Sequence, residues 1–386
     1  MNKINNFLIE RIFNFDLLLS LRGLACISVI FFHSFVSIDI IKTNYFFWFP
    51  FLLDGSGAVL IFFILSGYLM TKLFVIKKYD WTKNGLKKYY LARFNRIFPL
   101  YWFVCIFGAV FIGTTFLRPR GLLDLAKFFT FTQYFWDSKD IAMANYNWLS
   151  IAWSLVVEVQ FYLLVPIISF VLIKFKSKIF YTFISLIILL LLYKNNLIEF
   201  GTQVFGYKFG RNVIPYLPFF VSGGLVAILL QFEKIRALIQ KFTFSLPLLL
   251  ITLFFVPAFN KAFSIVGFND FTNLFYIIVT GLIIALFESF NFNKKPSGWN
   301  YNIQDLLNPK KIFEILGHLS FSAYLWHLSI IYSVGGAWVY SDYKNYISEP
   351  TFILLRFFFT LFLIILISLI TFKTVEKVKL FESKNN

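Results

Sequence analysis

Residues 21–33 read Leu-Arg-Gly-Leu-Ala-Cys-Ile-Ser-Val-Ile-Phe-Phe-His. The stretch is apolar, yet it opens on a guanidinium and closes on an imidazole. A membrane span needs roughly 17–25 mostly apolar residues, and residues 14–37 supply that length. Arg22 and His33 are eleven residues apart. That is about three helical turns and roughly 16 Å of rise, and at about 100° per residue the two share nearly the same face. Ionisable groups inside a span are costly and usually face a polar cavity. The plainer reading is a snorkelling Arg at the helix end and a hydrogen-bonded packing His. No small-residue cleavage site follows, so the segment is expected to stay as a membrane helix rather than leave as a signal peptide.

The composition of the whole chain agrees with this reading of one segment. The 386 residues are 59% hydrophobic, 22% aromatic and 14% charged, with a mean hydropathy of +0.74. Soluble domains are about a quarter charged. A chain so poor in charge cannot cover a water-facing surface, and lipid takes that place. Its 55 Phe and long Leu/Ile runs favour helices over an outer-membrane barrel. Spans are expected at 14–37, 45–71, 97–117, 148–173, 178–194, 212–231, 244–259, 271–290, 312–335 and 351–373. The expected fold is an all-α polytopic membrane protein, with ten transmembrane helices in one bundle and a single integral-membrane domain over 1–386.

A net charge of +17 would suggest nucleic acid in a soluble protein. Here it fits Lys and Arg flanking spans on the cytoplasmic side, and no nucleic-acid partner is expected. With both termini inside, 24 of the 36 Lys and Arg fall in inner segments and 10 in outer loops. That asymmetry places both termini in the cytoplasm. Cys26 and Cys105 lie in apolar runs and imply no disulfide framework. No internal repeat is visible, which speaks against an inverted-repeat transporter.

Four further segments carry polar residues at informative spacings. Residues 57–70 read Gly-Ala-Val-Leu-Ile-Phe-Phe-Ile-Leu-Ser-Gly-Tyr-Leu-Met, where Ser66 and Gly67 remove side-chain bulk and allow close approach of a helix or a ligand. Residues 90–102 read Tyr-Leu-Ala-Arg-Phe-Asn-Arg-Ile-Phe-Pro-Leu-Tyr-Trp. Arg93 and Arg96 share a helical face, and two planar guanidinium forks suit phosphate, although ordinary flanking charge reads the same way. In Trp153-Ser154-Leu-Val-Val-Glu158-Val-Gln-Phe-Tyr162, Ser154 lies one turn before Glu158. A carboxylate at mid-span must be paired, neutralised or facing water. Ser320, Tyr324 and His327 fall at i, i+4 and i+7, an inward-facing polar stripe that would equally serve hydrogen bonding between helices.

Taken in order, these segments resemble the acyltransferase 3 family across the whole chain. The Arg, ten residues, then His pattern of the first span is matched by Arg22 and His33, with Leu19 where members usually carry an acid and Asp16 one turn earlier. Phe-Phe-x-x-Ser-Gly-Tyr-Leu, Arg-x-x-Arg before Ile-x-Pro-x-Tyr-Trp, Trp-Ser-Leu-x-x-Glu-x-x-Phe-Tyr-Leu and Leu-Gly-x-x-Ser-x-x-x-Tyr-Leu-x-His follow. Glu376 resembles the acid closing the last span, with Lys377-Val378 where members commonly have Arg/Lys-Pro.

The resemblance implies a stand-alone form without a periplasmic esterase-like domain, in a bacterial inner membrane. The implied reaction is O-acetyl transfer from cytosolic acetyl-CoA to a hydroxyl of a cell-surface glycan or lipid-linked sugar. Donor and acceptor arriving from opposite sides would need an opening through the bundle. No permanently bound cofactor and no metal are expected. An alcohol is a poor nucleophile until its proton is being removed, and a neutral imidazole with an unperturbed pKa near 6.5 suits that task. His33 is the expected base. Arg22 would polarise the thioester or orient the His, and Glu158 would set the tautomer of His33 or hold the acceptor. Arg93 and Arg96 would grip donor phosphates, with Ser66, Ser154, Tyr324 and His327 contacting substrate. The competing readings are a proton-coupled transporter or flippase of a glycan precursor, and a lipid-linked-sugar glycosyltransferase. The latter commonly uses an acidic outer-loop motif, which Asp137 and Asp140 do not form.

Overall fold

The computed structural model describes residues 16–36, 55–111, 119–133, 150–174, 212–253, 269–292, 308–337, 346, 348–376 and 378, and among these the regular structure is helical with no strand. In chain order the helices are α1 (Leu17–Val36), α2 (Gly55–Val75), α3 (Lys83–Phe111), α4 (Pro119–Phe129), α5 (Ala152–Lys174), α6 (Leu217–Leu229) and α7 (Glu233–Gln240). They continue as α8 (Thr243–Leu253), α9 (Asn269–Asn291), α10 (Pro309–Ala337) and α11 (Glu349–Thr371), the last running on through a π turn at Phe372–Glu376.

Among the described residues, five stretches are long and apolar enough to cross a membrane: Leu17–Ser34, Gly55–Val75, Ala152–Lys174, Thr272–Asn291 and Leu354–Glu376. A sixth arises if Ile214–Leu229 and Glu233–Gln240, bent by 102° at the break between them, are taken together. The expected span at 178–194 lies outside the described residues. α3 begins at Lys83 rather than at 97. The helical hydrogen bonds continue through its Lys-rich first turns, where hydropathy falls, so an apolar window sees only the later part of the helix. α11 shows the lipid-facing pattern plainly. Leu354, Phe358, Phe362, Leu366 and Ile370 recur every four residues and all are exposed, an apolar stripe that water would not tolerate over such a length.

Two helix crossings set the architecture. α2 packs most extensively on α6, and α1 on α10. Each crossing is closed by a reciprocal pair of glycines. A methyl at Gly67 would sit on the Phe220 carbonyl oxygen and one at Gly223 on that of Ile64, while Gly23 faces the Phe313 carbonyl and Gly317 that of Leu19. Backbones this close gain dispersion contacts along the crossing, which is how helices associate where lipid removes the hydrophobic drive. Gly67 thus serves a helix rather than a ligand.

Pro166 lies within α5 and has no N–H, so the carbonyl four residues before it is left without its helical donor. That carbonyl, of Tyr162, accepts the Tyr89 hydroxyl at 3.2 Å, and the Leu163 carbonyl accepts the Tyr90 hydroxyl at 3.1 Å. α3 is thereby tied to α5 beside Glu158. α2 and α9 are joined by a buried ion pair between Lys72 and Glu288, with the Tyr68 hydroxyl donating to the same carboxylate.

Candidate active site

Near the meeting of α1, α2, α5 and α10 lies a small, partly open cavity of about 60 Å³. Arg22 from α1, Ser66 from α2, Ser154 and Glu158 from α5, and Ser320 and Tyr324 from α10 supply its polar lining. Phe62, Phe63 and Phe321 form much of the apolar wall. Five of the nine residues expected from sequence therefore share one cavity.

Glu158 is held firmly. Its Oε1 accepts the Ser66 hydroxyl at 2.7 Å and the Tyr162 hydroxyl at 2.5 Å. Tyr162 is one turn further along α5, so the two side chains stack on one face. A second polar couple closes the other side, where the Ser154 and Tyr324 hydroxyls are 2.6 Å apart and each also reaches the Ile151 carbonyl. The shared proton can lie on either oxygen, with the other hydroxyl donating to the Ile151 carbonyl, and the couple keeps lone pairs that can accept from a bound hydroxyl.

Arg93 and Arg96 lie on α3 beneath this cavity wall. Arg96 pairs with Glu376, whose other oxygen accepts the Ser322 hydroxyl at 2.6 Å. Its guanidinium also lies 5.3 Å from the centre of the Phe321 ring, and it is within electrostatic reach of Arg22, Arg93 and Glu158. Arg93 contacts the Met70 sulfur at 3.4 Å and faces the Tyr162 ring at 5.9 Å. Its buried Nε has no hydrogen-bond partner among the described residues. Three arginines thus gather near Glu158 and Glu376, and planar guanidinium forks of this kind suit an anionic group.

His33 stands outside the cavity lining and meets His327. His327 Nε2 is 3.3 Å from His33 Nδ1, with ring centroids 5.0 Å apart. Glu158, expected either to set the tautomer of His33 or to hold the acceptor, is engaged by Ser66 and Tyr162, while His33 Nδ1 meets His327. Asp16 caps α1, its Oδ1 accepting the Leu19 N–H at 3.0 Å. Sequence reasoning passed over Tyr162 and gave Glu376 no partner. The i, i+4 spacing from Glu158 signalled the first. The second bridges α3 and the end of α11, and nothing local in the chain announces it.

A family profile described as an acyltransferase domain matches residues 18–372. The O-acetyltransferase OatA of Staphylococcus aureus strain NCTC 8325 is 26% identical over 327 residues, covering 76% of this chain and 49% of the relative. OatA of strain COL matches with the same identity and coverage. The chain spans about half the length of these curated relatives. No solved structure matches.

Proposed function

The chain belongs to the acyltransferase 3 family, matched from residue 18 to residue 372, and from that premise we propose that it is a membrane O-acetyltransferase. In this reading acetyl-CoA arrives from the cytoplasm, and the acetyl group passes to a sugar hydroxyl of a cell-surface glycan or its lipid-linked precursor. The protein sits in the inner membrane with ten spans and both termini cytoplasmic. The observation that carries the proposal is the cavity itself, because Arg22, Ser66, Ser154, Glu158 and Tyr324 line one opening among apolar helices. Buried polar groups gathered around empty space suit a polar substrate better than a tie between helices.

The chemistry assigns each group a task. His33 takes the proton of the acceptor hydroxyl as its oxygen attacks the thioester carbon. The new C–O bond forms, the C–S bond breaks, and the proton returns from the imidazolium to the coenzyme A thiolate. Arg22 stabilises charge on the carbonyl oxygen as it develops. Arg93 and Arg96 hold the donor's phosphates, Arg96 exchanging Glu376 for phosphate oxygens. Glu158, fixed by Ser66 and Tyr162, orients the acceptor, with Ser154 and Tyr324 as its other hydrogen-bonding contacts.

The test uses radiolabelled acetyl-CoA with purified protein and a surface glycan extract. Wild type is expected to transfer label, and His33→Ala to lose at least about 100-fold, the usual worth of a general base. Normal transfer by both His33→Ala and Arg93→Ala would sink this scheme. Failure of wild type to bind or turn over the donor would redirect attention to glycan or proton transport.

A further inference from the structure

His33 on α1 and His327 on α10 are 294 residues apart in sequence and in contact through their ring nitrogens. His327 is fully buried. Its Nδ1 lies 2.6 Å from the Tyr324 carbonyl. A carbonyl accepts and cannot donate, so Nδ1 of His327 carries the proton and Nε2 is left as a bare lone pair. That lone pair faces Nδ1 of His33 at 3.3 Å. His33 Nδ1 also lies 2.9 Å from the Val29 carbonyl, a second pure acceptor. Both neighbours require a proton on Nδ1 of His33, and its lone pair is thereby placed on Nε2.

We propose that His327 is a positioning residue for His33: it accepts the Nδ1–H of His33, holds the ring in the tautomer whose Nε2 is basic, and steadies the imidazolium formed during transfer. This rests on the reading of His33 as the base. The Val29 carbonyl alone is a poorer partner for a cation, because it already belongs to the hydrogen-bond ladder of α1. Among the described residues the imidazole of His327 has no competing donor at Nε2, so it can shorten its bond to His33 as charge appears there. No proton passes from His33 to His327. The acceptor hydroxyl's proton goes to His33 Nε2, and the Nδ1 proton stays shared between the two rings. Tyr324 connects this pair to the cavity, since its carbonyl fixes His327 while its hydroxyl meets Ser154.

His327→Phe removes the acceptor and keeps the ring volume. His327→Gln restores an acceptor at the reach of Nε2. The expected result is a kcat lower by roughly 10- to 100-fold in His327→Phe, the range typical when a partner that orients an imidazole is lost, with the KM for acetyl-CoA unchanged and partial recovery in His327→Gln. Thermal melting of each purified variant checks that the bundle is intact. The chain has three histidines, so ¹⁵N-histidine NMR in nanodiscs resolves the tautomer directly. Wild type should show His33 protonated at Nδ1, and His327→Phe should show a shift toward the other tautomer. An unchanged tautomer together with unchanged kcat in His327→Phe would overturn the proposal and leave His327 as packing. Equal losses in His327→Phe and His327→Gln, matched by equal falls in melting temperature, would overturn it too. If His33→Ala retains transfer while the tautomer still responds to His327, the base assignment fails and the pairing stands.

Discussion

Asp80 lies in the loop between α2 and α3, where its Oδ1 accepts the Thr82 hydroxyl and the Thr82 N–H. Thr82 in turn caps α3, its hydroxyl accepting the Gly85 N–H at 3.1 Å. These bonds, the hydroxyl first, hold the Asp80 carboxyl below its ordinary value. A group whose folded pKa is depressed contributes stability above its unfolded value, about 3.9 for Asp, and loses it as pH falls through the folded value. The melting temperature of wild type should therefore exceed that of Asp80→Ala by a constant margin above about pH 5, and the margin should close on acidification below about pH 4. A gap that does not narrow at all as the pH falls below about 4 would trace the effect to something other than the carboxylate. Residues such as Arg22 and Glu158 were legible in the sequence because charge in an apolar run is conspicuous. Their partners were legible only when they stood on the same helix, as Tyr162 does for Glu158. Arg96 with Glu376 and His33 with His327 depend on which helices meet, and one sequence does not encode that in any local pattern.

The elements divide along the same line. Every expected span that falls on described residues coincides with a helix, since a long apolar run leaves the backbone no other way to satisfy its hydrogen bonds in lipid. The ends shifted where polar turns extend a helix into water, as at Lys83. The kink between α6 and α7 was not legible, because no proline marks it. The glycine crossings make a sharper statement about packing. Gly67→Ala should destabilise the α2–α6 crossing by about 1–3 kcal/mol, the usual cost of forcing extra volume into a packed site. Gly281→Ala is the control, because a methyl there meets Val226 at an ordinary 3.7 Å. The two are compared by thermal melting and by the monodisperse yield from detergent. Equal behaviour of the two variants would show that the crossing tolerates separation.

For the whole molecule, the bias of Lys and Arg toward alternate segments is a topological statement. Alkaline phosphatase fused to either terminus should stay inactive, and a fluorescent protein fused there should mature, because both ends are expected in the cytoplasm. Phosphatase activity at one end alone would require an odd number of spans. The pairing of His33 with His327 also has a consequence in time. Synthesis at about 5–20 residues per second separates the arrival of these two residues, 294 positions apart, by roughly 15 to 60 s. For that interval α1 has entered the membrane with Arg22 and His33 while the face of α10 that covers them is still unmade. That face of α1 must be sheltered by other protein until α10 arrives, and a ribosome that stalls before then leaves half a site exposed to lipid.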